Sequence, residues 1–454
     1  MTISAIILAA GEGTRMKSSL PKVMHKIASR SMIGHILDLI HTVDIQETVA
    51  VIGPKMDVLE EYIISEGASI KCVVQENRLG TADAVKTGMK ALRSSNDILV
   101  LYGDTPFITN NTIGRMKTLL DADKKNALVV LGFDVKEPSE YGRLVVNTKN
   151  ELEAIVEYLD CNLEQREVTL CNSGVMLING NYAKDLIGSV TNKNAKKEYY
   201  LTDLVSIAKS KGLICQYIVV NHEEALAINS REELCEAEYV IQSKFRDDFI
   251  KSGVTLIDRE TVYFAKDTKI ERDVVIYPNV FFGTGVEIKS GAVIKSFSNL
   301  EGASVGAGAV VGPFANLRPG TILESNTKIG NFVEIKNSHI DKGAKISHLS
   351  YLGDTEVGSG VNIGAGTITC NYDGIAKHKT KIGADSFIGS NSSLVAPLVI
   401  GAGSMIGAGS VITENIPDNG LAVARSEQKN YPNKAQYIRN KKLESEAKNP
   451  KKDL

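Results

Sequence analysis

The sequence carries almost no surplus charge: 52 Lys and Arg against 54 Asp and Glu leave a formal charge of −2. The field of the whole molecule therefore offers nucleic acid no attraction. A long apolar run is also missing. The stretch from Ile3 to Ala10 has no basic residue before it and falls far short of the roughly 20 residues that cross a bilayer, so neither a membrane span nor a secretory signal is expected. The six cysteines (Cys72, Cys161, Cys171, Cys215, Cys235, Cys370) include no CxxC or paired spacing, which argues against a zinc site and a disulfide framework. A reducing cytoplasm is the expected compartment. What is present is a soluble composition, 43% hydrophobic and 23% charged, over 454 residues. That length exceeds one ordinary core and predicts two or three domains.

Two grammars divide the chain. Up to about residue 228, the segments Ile3–Leu8, Thr48–Ile52, Ile70–Gln75, Ile98–Leu101 and Ala127–Phe133 are rich in β-branched residues and predict buried strands. Helical patterns over Met32–Thr42, Met56–Glu66 and Thr81–Leu92 lie between them. This alternation predicts an α/β sheet with helices on both faces and a ligand beyond the carboxyl ends of its strands. Ser230–Phe249 is charged, lacks Gly and Pro, and predicts a linking helix. After about Gly253, aliphatic residues recur every six positions, at Val305, Val311, Leu317, Leu323, Ile329 and Ile335. After a phase slip they recur at Ile382, Ile388, Leu394, Ile400, Ile406 and Ile412. A period of six suits neither a helix nor a two-layer sheet; it predicts a parallel β-helix of hexapeptide repeats. The run CNYDGIAKHKT, from Cys370 to Thr380, interrupts the repeat and should loop out of the coil. The lysine-rich end is expected to be a mobile tail. The expected divisions are residues 1–228, a linker helix over 229–249, a β-helix over 250–436 and a basic tail over 437–454.

The loop LAAGEGTRM, Leu8 to Met16, follows the first strand. The dinucleotide fingerprint and the P-loop both require a glycine where this chain has Met16, so neither fits. A loop rich in Gly and Thr still presents N–H groups to an anion, and Arg15 and Lys22 add cations. Asp104, directly after the strand Ile98–Leu101, is placed to hold a divalent metal opposite phosphates. Glu12, odd beside phosphates, is read as pointing to solvent.

Leu8–Met16 with Pro21-Lys22 resembles the signature of the sugar-1-phosphate nucleotidyltransferases. QENRLGTADAV from Gln75, LYGDTP from Leu101, YGRLV from Tyr141, IVEYLD from Ile155, CNSGVM from Cys171, EYYLTDL from Glu198 and AINSREEL from Ala227 follow in that family's order. With the hexapeptide half included, nearly the whole chain resembles the bacterial family of bifunctional N-acetylglucosamine-1-phosphate uridyltransferase/glucosamine-1-phosphate N-acetyltransferases. The resemblance implies a Rossmann-like nucleotidyltransferase domain followed by a left-handed parallel β-helix, assembled as a homotrimer. It implies uridylyl transfer from UTP to N-acetylglucosamine-1-phosphate, after acetyl transfer from acetyl-CoA to glucosamine-1-phosphate. The product would be a precursor of peptidoglycan and lipopolysaccharide.

In the first site, the resemblance implies that Leu8, Ala9, Ala10, Gly11 and Gly13 line the nucleotide, with Gln75, Gly80 and Thr81 near the uracil. Arg15 and Lys22 would stabilise the triphosphate as charge moves to pyrophosphate, and Asp104 and Asn229 would hold Mg²⁺. Tyr102, Gly103, Gly142, Glu157 and Asn172 would meet the nucleotide sugar. Two positions depart from the family's pattern. Leu159 stands where a lysine is expected, and Ala227 replaces a glycine two positions before Asn229, which could restrict the metal loop.

In the second half, Arg318 and Lys336 are 18 residues apart, three hexads, and should stack on adjacent coils. Stacked cations repel unless Glu324, Glu334 or a bound phosphate lies between them. The resemblance assigns Arg318, Lys336, Tyr351 and Asn362 to glucosamine-1-phosphate. It gives Ala365, Asn371, Tyr372, Ser390, Ala408 and Arg425 to acetyl-CoA, and makes His348 the base that takes the amine proton. An imidazole suits that work near neutral pH.

Other readings share parts of this layout. The β-helix could only regulate or oligomerise, as in the ADP-glucose pyrophosphorylases, though His348 and the NYDG insertion argue against that. A non-catalytic assembly subunit would be expected to lack Asp104 or the Gly11–Arg15 loop. A zinc hydratase of the γ-carbonic anhydrase kind needs three histidines around one metal, and His339, His348 and His378 do not have the expected spacing.

Overall fold

A computed structural model describes residues 2–448 apart from positions 68 and 149. Two compact units result: residues up to Lys251 with Tyr263–Thr268, and Ser252–Val262 with the chain from Lys269 onward.

The first unit is built on a mixed sheet in the order Ile214–Val220, Asn126–Asp134, Leu170–Ile178, Asp97–Tyr102, Ile3–Ala9, Ile45–Ile52, Ile70–Val74. Ile3–Ala9 is buried along its whole length and pairs in parallel with both neighbours. Its side chains alternate between two apolar clusters, Ala5 and Ile7 entering one, Ile6 and Leu8 the other. A strand buried on both faces needs helices on both. Met32–Thr42 supplies one of them, capped by the Ser31 side chain accepting from the Gly34 N–H. Leu170–Ile178 runs antiparallel to both of its neighbours, and a hairpin of Arg143–Val146 and Leu152–Val156 joins its start. Period and propensity did not reveal these additions, because a strand's direction leaves no mark on its own residues. The register Leu8↔Tyr102 sets the carboxyl ends of two parallel strands side by side, so the loop after Ala9 and the turn at Asp104 share one mouth.

The charged helix runs over Arg231–Lys251. It buries Ala237 and Ile241 in a cluster with Ile27, Met32 and Ile228. The Gln242 amide spans the backbone of Phe264, donating to its carbonyl at 2.7 Å and accepting from its N–H at 2.9 Å.

The second unit consists of short parallel strands in three stacked sheets, consistent with a left-handed β-helix of hexapeptide repeats. All twelve periodic aliphatic residues point inward and are buried. The paired residues Val275, Val293, Val310 and Lys328 advance by 18, 17 and 18 positions per coil. The shorter coils and the insertion together set the phase slip: the inward residue after Ile335 is Ile340, five positions on, and Val357 likewise follows Leu352 by five. From Asn362 to its partner Phe387 the chain takes 25 residues, and the surplus forms the insertion, closed by an antiparallel bridge between Tyr372 and Lys377.

The lysine-rich end, expected as a tail, forms an α-helix over Lys434–Lys448 that is exposed from Lys434 to Ser445. Its Lys, Arg, Gln and Glu residues favour helix, whereas only its charge entered the sequence expectation. Residues 449–454 lie outside the described part. Among the described residues, no helix is long and apolar enough to cross a membrane.

Candidate active sites

The chain after Ala9 turns through two glycines with different tasks. A Cβ on Gly11 would meet nothing within 4 Å, so this backbone faces open space. Gly13 has φ 64°, and a Cβ there would stand 2.6 Å from the Lys22 Cβ. Only glycine lets the loop close over the lysine. The Lys22 ammonium donates to the Asp104 carboxylate and, at 3.0 Å, to the Asn229 Oδ1. The Ile228 N–H donates to the Asp104 carbonyl at 3.0 Å, which draws the two loops together. Glu233 accepts from the Asn229 and Ser230 N–H groups and fixes the start of the following helix. A carboxylate and an amide oxygen thus converge on one cationic centre, a donor set that suits a hard divalent cation. Ala227 does not adopt a left-handed φ, so its Cβ brings no backbone strain to this loop.

A cavity of about 330 Å³ opens above. Its lining unites Leu8, Ala9, Ala10, Gly11, Lys22, Gln75, Gly80, Thr81, Tyr102 and Asp104, with Val23, Arg78, Ala84 and Glu198. Gln75 is buried, and its Nε2 donates to Asp83 at 2.8 Å and to the Gly80 carbonyl at 3.2 Å, which fixes the amide in the wall. Gly80, at φ 119°, abuts the Tyr199 carbonyl, 2.5 Å from where a Cβ would be. Gly103 packs on Val23, and Arg15 is exposed. Glu12 is exposed, as expected, and there it also pairs with Arg78 at 2.5 Å. A local reading could not supply that partner, 66 residues away.

Gly142, Glu157 and Asn172 form the adjoining wall. A Cβ on Gly142 would lie 3.5 Å from the Glu157 Oε2, and the Asn172 N–H donates to the Gly142 carbonyl at 2.8 Å. Burial raises the Glu157 carboxyl above its ordinary pKa, against a hydrogen bond from Thr202 at 3.2 Å. Burial also pushes the Tyr102 phenol up, reinforced by Glu157 and Asp104. Leu159 is 58% exposed and supplies no cation; Lys196 is the basic group acting on Glu157.

In the β-helix the register Leu317↔Ile335 places Arg318 over Lys336 as expected, and Lys336 pairs with Gly353. Glu334 accepts from Arg318 at 2.8 Å, while Glu324 is engaged by His339 at 3.0 Å. One of the two carboxylates considered above therefore does compensate the cations. Lys377 from the insertion, followed by Arg318, holds the Lys336 ammonium below the usual lysine range. Arg318, Lys336 and Lys377 gather positive charge that an anion would relieve. Lys377 lies in the quoted CNYDGIAKHKT run, but only the folded insertion brings it to Lys336. The Tyr351 hydroxyl and the Asn371 Nδ2 converge over Gly353, 2.5 and 2.7 Å from where its Cβ would be. Asn371 also donates to Asp354 at 2.5 Å.

The neighbouring face carries a second column. Asn331 pairs with His348, and the registers Ile346↔Ile363, Ile363↔Ile388 and Ile388↔Ile406 continue it through Ala365, Ser390 and Ala408. These small residues leave a shallow track below the exposed His348, and Arg425 closes its far end by donating to the Ala408 carbonyl at 2.7 Å. Asn362 lies on this same face. His339 and His378 are engaged separately, His378 with Asp373 at 2.7 Å. Among the described residues, no three His, Cys, Asp or Glu side chains gather to hold a metal. A single chain leaves His348 and the cation cluster at the two edges of the face built from Glu334–Lys336 and Tyr351–Gly353.

Fold and sites define a nucleotidyltransferase unit followed by a hexapeptide-repeat transferase unit. Residues 5–162 match the MobA-like NTP transferase domain, and residues 379–414 match the bacterial transferase hexapeptide (six repeats). Relatives named Bifunctional protein GlmU align over nearly the full length. The one from Paramagnetospirillum magneticum is 48% identical over 452 residues, 99% of either chain. That from Agrobacterium fabrum is 47% identical over 446 residues, 98% of either chain. That from Zymomonas mobilis is 46% identical over 442 residues, covering 97% of this chain and 98% of its own. The chain belongs to the bifunctional GlmU family.

Proposed function

We propose that the chain makes UDP-N-acetylglucosamine in two steps at two separate sites. In the β-helix, the amine of glucosamine-1-phosphate attacks the thioester carbonyl of acetyl-CoA. His348 takes the amine proton, and coenzyme A leaves as the thiol. Arg318, Lys336 and Lys377 hold the sugar phosphate; Tyr351, Asn362, Asn371 and Tyr372 orient the sugar and acetyl group. The track Ala365–Ser390–Ala408, with Arg425, takes coenzyme A. No acyl-enzyme forms, and Cys370 stays outside the reaction.

In the α/β unit, a phosphate oxygen of N-acetylglucosamine-1-phosphate attacks the α-phosphorus of UTP in line and pyrophosphate leaves. This chemistry needs positioning and charge neutralisation rather than a protein nucleophile. Asp104 and Asn229 hold Mg²⁺, which supplies positive charge at the phosphates. Lys22, which donates to those same two side chains, stands beside them to neutralise the triphosphate together with Arg15. Gly142, Glu157 and Asn172 bind the sugar.

The observation that carries this reading is the convergence of Lys22, Asp104 and Asn229 at the mouth of the cavity lined by Leu8–Gly11. A homotrimer would complete the second site. In its favour, Ile375 at the tip of the insertion is 93% exposed and Tyr372 is exposed beside it, as expected of a loop that reaches a neighbouring copy. The cytoplasm, where both nucleotide and thioester are available, is the compartment this chemistry requires. Coupled assays for free coenzyme A and for pyrophosphate on the purified chain test both reactions; absence of either product contradicts the corresponding site.

A further inference from the structure

Arg78 has no part in the chemistry above, yet it lines the nucleotide cavity. Its Nε donates to the Ala10 carbonyl at 2.7 Å and its Nη1 to Glu12 at 2.5 Å. The guanidinium passes over Gly53, where a Cβ would stand 2.7 Å from Nη2 and 3.0 Å from the Ala10 oxygen. Gly53 does not occupy the left-handed region, so space rather than conformation requires glycine there. An isolated exposed ion pair contributes little. This one is anchored at a second point on the backbone and confined by a slot. Its acidic partner belongs to a loop that must admit a highly negative ligand. Arg78 is the cation that meets the Glu12 carboxylate directly.

We propose that Arg78 is a positioning residue of the nucleotide site: it neutralises Glu12 and holds the Ala10 carbonyl, so that the loop meets the triphosphate without repulsion. The inference rests on the assignment of this cavity to UTP. Steady-state uridylyl transfer by the full chain tests it, with acetyl transfer as the internal reference. Arg78→Met raises KM for UTP about tenfold while kcat changes less than about threefold. Adding Glu12→Gln to Arg78→Met recovers about threefold or more of the lost affinity, since the uncompensated carboxylate is then gone. Gly53→Ala, which leaves both charges in place but fills the slot, raises KM for UTP in the same direction. If Arg78→Met does not fold, Arg78→Gln, which keeps a donor for Ala10 without the charge, takes its place in the cycle. An unchanged KM for UTP, or no recovery on adding Glu12→Gln, overturns the proposal. A parent chain that releases no pyrophosphate from UTP overturns instead the assignment of the cavity.

Discussion

Asp104 and His348 stand in different units, so substituting each separates the two reactions. Asp104→Ala removes the carboxylate of the proposed cation site and should abolish pyrophosphate release while coenzyme A release stays within about threefold of the parent. His348→Ala removes the proposed general base and should slow coenzyme A release by about a hundredfold or more, sparing uridylyl transfer. Glu157 adds a dependence on pH. Burial holds its folded pKa above the unfolded value, so the stability associated with its protonated form is complete below the unfolded pKa. It is lost as pH rises through the folded pKa. At pH values above the unfolded pKa, burial of this carboxyl costs the fold stability that it does not cost in acid. Glu157→Gln should therefore melt higher than the parent at pH 7, on the order of a few degrees, with the gap closing towards pH 4. Its KM for N-acetylglucosamine-1-phosphate should rise about tenfold. Differential scanning calorimetry at several pH values, with kinetics at pH 7, checks both halves of this expectation.

At the scale of elements, the track of small residues below His348 permits a sharp steric test. Ala408→Phe places a ring on the track while the inward-facing Ile406 and Ile412 are untouched. KM for acetyl-CoA should rise about tenfold or more, with uridylyl transfer unchanged, in paired initial-rate measurements. What the sequence made legible depended on how local the cause was. The hexapeptide period states its own geometry: one inward aliphatic residue per strand, so twelve positions could be placed without a structure. The buried strand Ile3–Ala9 and the helix Met32–Thr42 were legible because their own residues carry the pattern, a short apolar run in the strand and a longer helical spacing in the helix. The antiparallel course of Leu170–Ile178 was not, because direction is set by the connections. At the sites, the loop glycines and Asp104 announce themselves through their setting. The Glu12–Arg78 pair and the approach of Lys377 to Lys336 join residues far apart in sequence, and folding alone brings them together.

At the scale of the whole molecule, the helix Arg231–Lys251 decides where the chain can be divided. It packs Ala237 and Ile241 into the core of the first unit, and Gln242 grips Phe264. Residues 1–268 should retain uridylyl transfer when expressed alone, whereas residues 1–229 should be insoluble or inactive, by pyrophosphate release and thermal melting. The second reaction has a different requirement. Its cation cluster and its histidine lie at opposite edges of one face, and the proposed homotrimer is what would bring them into one site. Acetyl transfer should accordingly follow the trimeric fraction in light scattering as the protein is diluted. The most direct test of the central claim, two independent active sites in one chain, is quantification of coenzyme A released with glucosamine-1-phosphate and, in a separate reaction supplied with N-acetylglucosamine-1-phosphate, of pyrophosphate, for the parent, Asp104→Ala and His348→Ala chains. Each variant should lose one product and keep the other. Loss of both products in either variant, or a parent that releases only one, would contradict the account.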